Sequence, residues 1–93
     1  FSPEAQADLL ELYDYIADRA GEDRALAFVA SIELYCLGFS DFPERGTRRD
    51  DLRPGLRTVG FRRRVTIAFH VEQGMVVFDR ILYGGRDVEQ ALH

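Results

Sequence analysis

The stretch that most constrains this chain runs from Arg62 to Leu82. Val65, Ile67, Phe69 and Val71 alternate with Thr66, Ala68 and His70, the period-two pattern of a strand with two unlike faces. Gln73-Gly74 then turns the chain, since glycine accepts the positive φ of a tight hairpin loop. Met75-Val76-Val77-Phe78 and Ile81-Leu82 form a second β-branched and aromatic run, interrupted by Asp79-Arg80. Two registers are open. A two-residue loop puts Val76, Phe78, Arg80 and Leu82 on the face of Ile67 and Phe69, whereas a three-residue loop puts Met75, Val77, Asp79 and Ile81 there. In either register one charged residue falls among apolar neighbours and needs a partner. Asp79 and Arg80, on opposite faces of a regular strand, cannot supply each other's.

Helices precede this hairpin. Ser2-Pro3-Glu4 reads as a helix start, with Ser at the N-cap, Pro at the first helical position and an acid in the first turn. Ala5, Leu9, Leu12, Tyr13, Ile16, Ala17 and Ala20 then recur at helical spacing, and Gly21 stops the helix. Asp23 can cap a second helix with apolar positions at Ala25, Phe28, Val29, Ile32, Tyr35, Cys36 and Phe39, bounded by Pro43. The short connection makes the two an antiparallel pair. Thr47 to Asp51 is an exposed polar segment, Pro54-Gly55 a type II turn, and Leu56 to Val59 a short strand that Gly60 ends or bulges. Gly84-Gly85 breaks the sheet before a short C-terminal helix capped by Asp87. The fold class is therefore α+β: an N-terminal two-helix hairpin packed on a three- to four-stranded antiparallel sheet, with a short C-terminal helix.

Ninety-three residues, 46% of them hydrophobic, suit a single domain with a modest core. A lone cysteine, Cys36, excludes an intrachain disulfide, and no apolar run approaches the roughly 20 residues of a membrane span. A cytoplasmic protein is expected. The chain starts at Phe1 rather than Met, and a preceding strand is expected to be missing. The net charge of −4 hides an asymmetry: residues 1–44 carry ten acids and two arginines, residues 45–93 six acids and ten arginines. This acidic balance argues against strong nonspecific nucleic-acid binding by the whole chain. All twelve basic residues are arginine, so no lysine is available as a base or Schiff-base former.

Several residue types invite a chemical role. Arg62-Arg63-Arg64 could pair with phosphates, although a solvated turn that blunts a strand edge is the preferred reading. Glu4, Asp8, Glu11, Asp14 and Asp18 form an acidic stripe read as a solvated helix face rather than a metal site. His70 could act as a general base, but a packing role is preferred. Cys36 reads as a buried small hydrophobe. No cofactor, metal or catalytic residue is expected.

The opening Ser2-Pro3-Glu4-Ala5, the helical hairpin ending in Phe42-Pro43-Glu44-Arg45-Gly46, the segment Leu52-Arg53-Pro54-Gly55-Leu56-Arg57, the apolar hairpin and the closing Arg86-Asp87 together resemble the RelE/ParE toxin superfamily, and within it ParE. The resemblance covers nearly the whole chain, with the missing first strand being the family's own. It implies the toxin of a type II toxin–antitoxin pair that inhibits DNA gyrase by protein–protein binding and is neutralised by a ParD-like antitoxin in a hetero-oligomer. No membrane and no direct sequence-specific nucleic acid enter that expectation. The alternative is a RelE-like ribosome-dependent mRNA endonuclease. RelE-like enzymes use lysines, arginines and a C-terminal tyrosine, whereas this chain has no lysine and no tyrosine after Tyr83. Val65-Thr66 also stands where many relatives have Tyr-Arg. On this reading Arg53, Arg57, Arg80, Tyr83 and Arg86 are the candidates for contacting target or antitoxin, with the arginines converging on one groove. Internal pairing of those arginines with Asp50, Asp51, Asp79 and Asp87 is the competing expectation.

Overall fold

The computed structural model describes residues 1–84 and 88–92, with Ser40 described through its backbone alone. Two helices come first, α1 over Pro3–Ala20 and α2 over Glu22–Leu37, followed by a 3-10 turn at Gly38–Ser40. Four strands follow, β1 Thr47–Arg48, β2 Arg57–Phe61, β3 Val65–Glu72 and β4 Met75–Tyr83, and a one-turn helix α3 covers Val88–Ala91. The strands form one antiparallel sheet in the order β1-β2-β3-β4.

Capping chemistry sets the helix ends. Ser2 Oγ accepts from the Ala5 N–H at 3.1 Å, and Pro3 occupies the first turn, where its missing N–H costs nothing. Only Gly21, at φ 97°, separates α1 from α2. It therefore takes the N-cap place expected of Asp23, and α2 starts without a side-chain cap.

The apolar face of the helix pair lies on one face of the sheet. Ala5, Leu9 and Leu12 of α1, Ile32 and Cys36 of α2, and Phe39 meet Val65, Ile67, Phe69, Phe78 and Ile81 in one buried cluster. Phe39 is its centre, with ring centroids 4.9 Å from Phe69, 5.2 Å from Phe78 and 5.3 Å from Tyr35. Burying each such ring is worth about 1.5–3 kcal/mol, plus a smaller gain from the edge-to-face geometry. A second, small cluster of Leu56, Ala68 and Leu92, flanked by Leu52 and Val88, packs α3 on the other side.

Turns follow their residues. The Leu56 N–H donates to the Arg53 carbonyl at 3.0 Å across Pro54-Gly55, with Gly55 at φ 80°, as a type II turn requires. Gly60, by contrast, neither ends nor bulges its strand; it pairs with Thr66, and β2 continues to Phe61. At Gly46, φ is 83° and a Cβ would lie 2.4 Å from the Thr58 carbonyl oxygen, so only glycine fits there.

The register of the central hairpin combines both expectations. Gln73-Gly74 is a two-residue loop, with Glu72 opposite Met75 and Phe69 opposite Phe78. A β-bulge between Ala68 and Phe69 then shifts the pairing, placing Arg80 opposite Ala68 and Ile81 opposite Ile67. Val76 and Phe78 consequently face the helices before the bulge, and Ile81 and Tyr83 after it. Asp79 is the extra residue.

Candidate functional site

The bulge gives β4 its polar centre. Asp79 and Arg80, consecutive in sequence, line one depression of about 270 Å³ with Glu4, Arg53, Ala91 and Leu92. The opposite-face arrangement expected of a regular strand does not hold here, because the bulge reorients the chain between them. They still do not pair with each other.

Arg80 turns to α1. Its Nε donates to Asp8 Oδ2 at 2.7 Å and its Nη2 to Asp8 Oδ1 at 2.9 Å, while Nη1 donates to the Ala91 carbonyl at 3.1 Å. Asp8 Oδ2 also accepts the Ile81 backbone N–H at 2.9 Å. This bidentate pair, with the Asp8 side chain only 5% exposed, ties α1, β4 and α3 together. The Asp8 hydrogen bonds raise the Arg80 guanidinium further above its already high range. Asp8 thus leaves the solvated stripe assigned to it. Its position was legible: three residues after Ala5 and four before Leu12, it lies on the apolar face of α1.

Asp79 turns to β3. Its Oδ2 lies 2.7 Å from His70 Nδ1, and its Oδ1 3.9 Å from Arg53 Nη1. The hydrogen bond to Asp79 pulls the His70 pKa above its ordinary value, against a smaller opposing effect of burial. The edge of β4 is also closed by Ser2, whose N–H donates to the Phe78 carbonyl at 2.9 Å and whose hydroxyl donates to the Asp79 carbonyl at 3.0 Å.

Of the five residues singled out by sequence, the structure brings Arg53 and Arg80 into one depression. Arg57 lies in the row of Val59 and Phe61, where Nη1 donates to the Glu44 carbonyl at 2.9 Å. Tyr83 is on the helix side, its ring 5.3 Å from Tyr15 and 6.2 Å from Phe28. Arg86 lies outside the described residues, as does Asp87. The four described candidates therefore do not form one groove.

Within the depression Arg80 is already neutralised by Asp8, and Arg53 is the more exposed guanidinium. Cys36 is buried under the helices, and burial pushes its thiol up to about 12, far from a reactive thiolate. Among the described residues no three His, Cys, Asp or Glu side chains gather as a metal site, and no helix is long and apolar enough to cross a membrane. Apolar side chains are exposed elsewhere, notably Leu34, Leu37, Phe42 and Met75.

The chain matches the family described as ParE toxin of type II toxin–antitoxin system, parDE, over residues 1–88. Among solved structures it is similar to a chain of the chromosomal ParDE toxin–antitoxin system from P. aeruginosa, with a TM-score of 0.77 and 26% identity, over 89% of this chain and 90% of that one. No curated protein matches it.

Proposed function

Because the chain belongs to the ParE family of toxins from type II toxin–antitoxin systems, we propose that it arrests growth by binding DNA gyrase in the cytoplasm and that a ParD-like antitoxin neutralises it by covering the binding surface. The observation that carries this reading over RNA cleavage is the engagement of Arg80 by Asp8. Cutting RNA at a 2′-hydroxyl needs a base, an acid and free cations on the developing phosphorane. This chain has no lysine and no tyrosine after Tyr83, the β4 guanidinium is neutralised by Asp8, and the arginines left without a carboxylate beside Tyr15 and Tyr83 lie at the opposite end of β3 from His70. No bond-breaking step is assigned to the protein.

Arg53 is the candidate best placed to meet a partner, with its side chain 48% exposed beside Asp79. Arg57, Tyr83 and Arg86 are proposed as further contacts, and Arg80 as part of the depression beside Arg53. Arg53→Ala weakens antitoxin binding about tenfold in a calorimetric titration, in line with arginine's weight at interface centres; affinity unchanged by Arg53→Ala removes the depression from the interface.

Gyrase supplies the direct test. Purified full-length protein blocks supercoiling and accumulates cleaved DNA, and added antitoxin restores activity. Untouched gyrase, together with message cut on translating ribosomes, would replace this reading with the endonuclease.

A further inference from the structure

Away from the β4 depression, one end of the molecule collects guanidinium groups that no carboxylate engages. Arg48 pairs with Asp50, Arg49 with Asp51 and Glu89, Arg53 with Asp79, and Arg80 with Asp8. Seven arginines have no carboxylate partner among the described residues: Arg45 and Arg57, which donate to the carbonyls of Phe42, Gly38 and Glu44, and Arg19, Arg24, Arg62, Arg63 and Arg64.

Three of these arginines share a cavity. Arg19, Arg24 and Arg64 line a space of about 440 Å³ with Tyr15, Phe28 and Tyr83, within the range of small-molecule sites. None of its lining residues is acidic; Asp18, Glu22 and Asp23, close along the chain, are exposed outside it, and Asp8 and Glu11 line an adjoining depression that shares Tyr15 and Tyr83. Its wall is aromatic. The Tyr15 and Tyr83 rings are 5.3 Å apart, the Arg19 guanidinium lies 3.8 Å above the Tyr15 ring, and Arg64 Nη1 reaches the Tyr83 hydroxyl at 3.5 Å.

The turn beside the cavity points the same way. Arg62 and Arg63 have φ 52° and 59°, and the Arg64 N–H donates back to the Phe61 carbonyl at 3.2 Å. Asparagine and glycine suit such a turn best, so turn geometry does not explain three arginines there. They extend the positive surface outward from the cavity.

The donor chemistry selects the ligand. Guanidinium groups offer hydrogen-bond donors and no acceptor, so the occupant must be rich in acceptors, and a phosphate meets the planar fork with two oxygens. A peptide would bring N–H groups needing acceptors, and the neighbouring β4 edge is already closed at Ile81 by Asp8. Aromatic faces beside cations are also how bases of single-stranded nucleic acid are held without regard to sequence. We propose that this cavity binds a nucleotide phosphate, with the attached base against the Tyr15–Tyr83 wall, either in a single strand or as a free nucleotide. The site is local, so it coexists with the acidic balance of the whole chain, and it stands or falls separately from gyrase inhibition.

Fluorescence anisotropy of a labelled single strand of about eight nucleotides, titrated with the full-length protein at low salt, tests the site. Binding is expected, with log affinity falling linearly against log salt. Arg19→Gln, Arg24→Gln and Arg64→Gln, all at exposed positions, each weaken it by about threefold or more and make the salt dependence shallower. Arg48→Gln, remote from the cavity and paired with Asp50, leaves it unchanged. Displacement by ATP assigns the site to free nucleotide, and resistance to ATP assigns it to the strand. Absence of binding to both strand and ATP, indifference to all three cavity substitutions, or displacement by polyglutamate as effective as by unlabelled strand each overturns the proposal.

Discussion

Asp8 accepts hydrogen bonds from Arg80 Nε, Arg80 Nη2 and the Ile81 N–H, so one carboxylate on α1 closes the edge of β4 and fixes a half-buried guanidinium. Removing one partner of such a pair leaves the other charge uncompensated, at a cost of about 3–5 kcal/mol. Asp8→Ala accordingly lowers unfolding free energy by about that amount in a urea titration, whereas Glu4→Ala, on the same helix, changes it by less than about 0.5 kcal/mol. His70 carries the pH dependence. Its pKa is raised in the folded state by the hydrogen bond to Asp79, so folding binds a proton more tightly than the unfolded chain does. The stabilisation is complete below the unfolded value near 6.5 and fades as pH rises through the raised folded value. Urea midpoints at pH 5.5 and 8.5 therefore differ more for the wild type than for His70→Gln, with the wild type's advantage at the lower pH. Reading the sequence singled out His70 but not its partner, because a strand pattern does not say which side chain a bulge will bring across.

The central hairpin was legible as an element, down to its loop residues, while its register was not. Two-residue and three-residue pairings each matched half of β4, and the structure realises both by inserting Asp79 as a bulge. Period-two reasoning assumes an unbroken ladder, so it offered alternatives where the chain combines them. Glycine's poor fit in a strand interior made Gly60 a strand end or a bulge, although it pairs regularly with Thr66. The loop itself retains a cost. Gln73 sits at φ 52°, which asparagine tolerates better, so Gln73→Asn raises stability by about 0.5 kcal/mol in thermal unfolding. Helix boundaries followed from punctuation at Ser2, Pro3 and Gly21, and the apolar periodicity of α1 and α2 identified the face that covers Phe69 and Ile67.

Across the whole molecule, helices and sheet share one aromatic core centred on Phe39, and the polar work is divided between two ends. At the β4 depression, charges are satisfied internally and Arg53 is presented outward. At Tyr15 and Tyr83, the guanidinium groups of Arg19, Arg24 and Arg64 line one cavity, and Asp8 and Glu11 line an adjoining depression that shares the two rings. The single convergent groove expected from the sequence is absent among the described candidates, because Arg57 and Tyr83 belong to the helix-bearing face while Arg53 and Arg80 border the depression beside α3. On the proposed reading, a toxin that docks without breaking bonds inhibits in proportion to the complex it forms. The most direct measurement titrates full-length protein against a fixed concentration of gyrase in a supercoiling reaction and then adds antitoxin. Inhibition that tracks the toxin-to-gyrase ratio and reverses as antitoxin is added is the predicted result; full gyrase activity at excess toxin, with message cleaved in a parallel translation reaction, would contradict it.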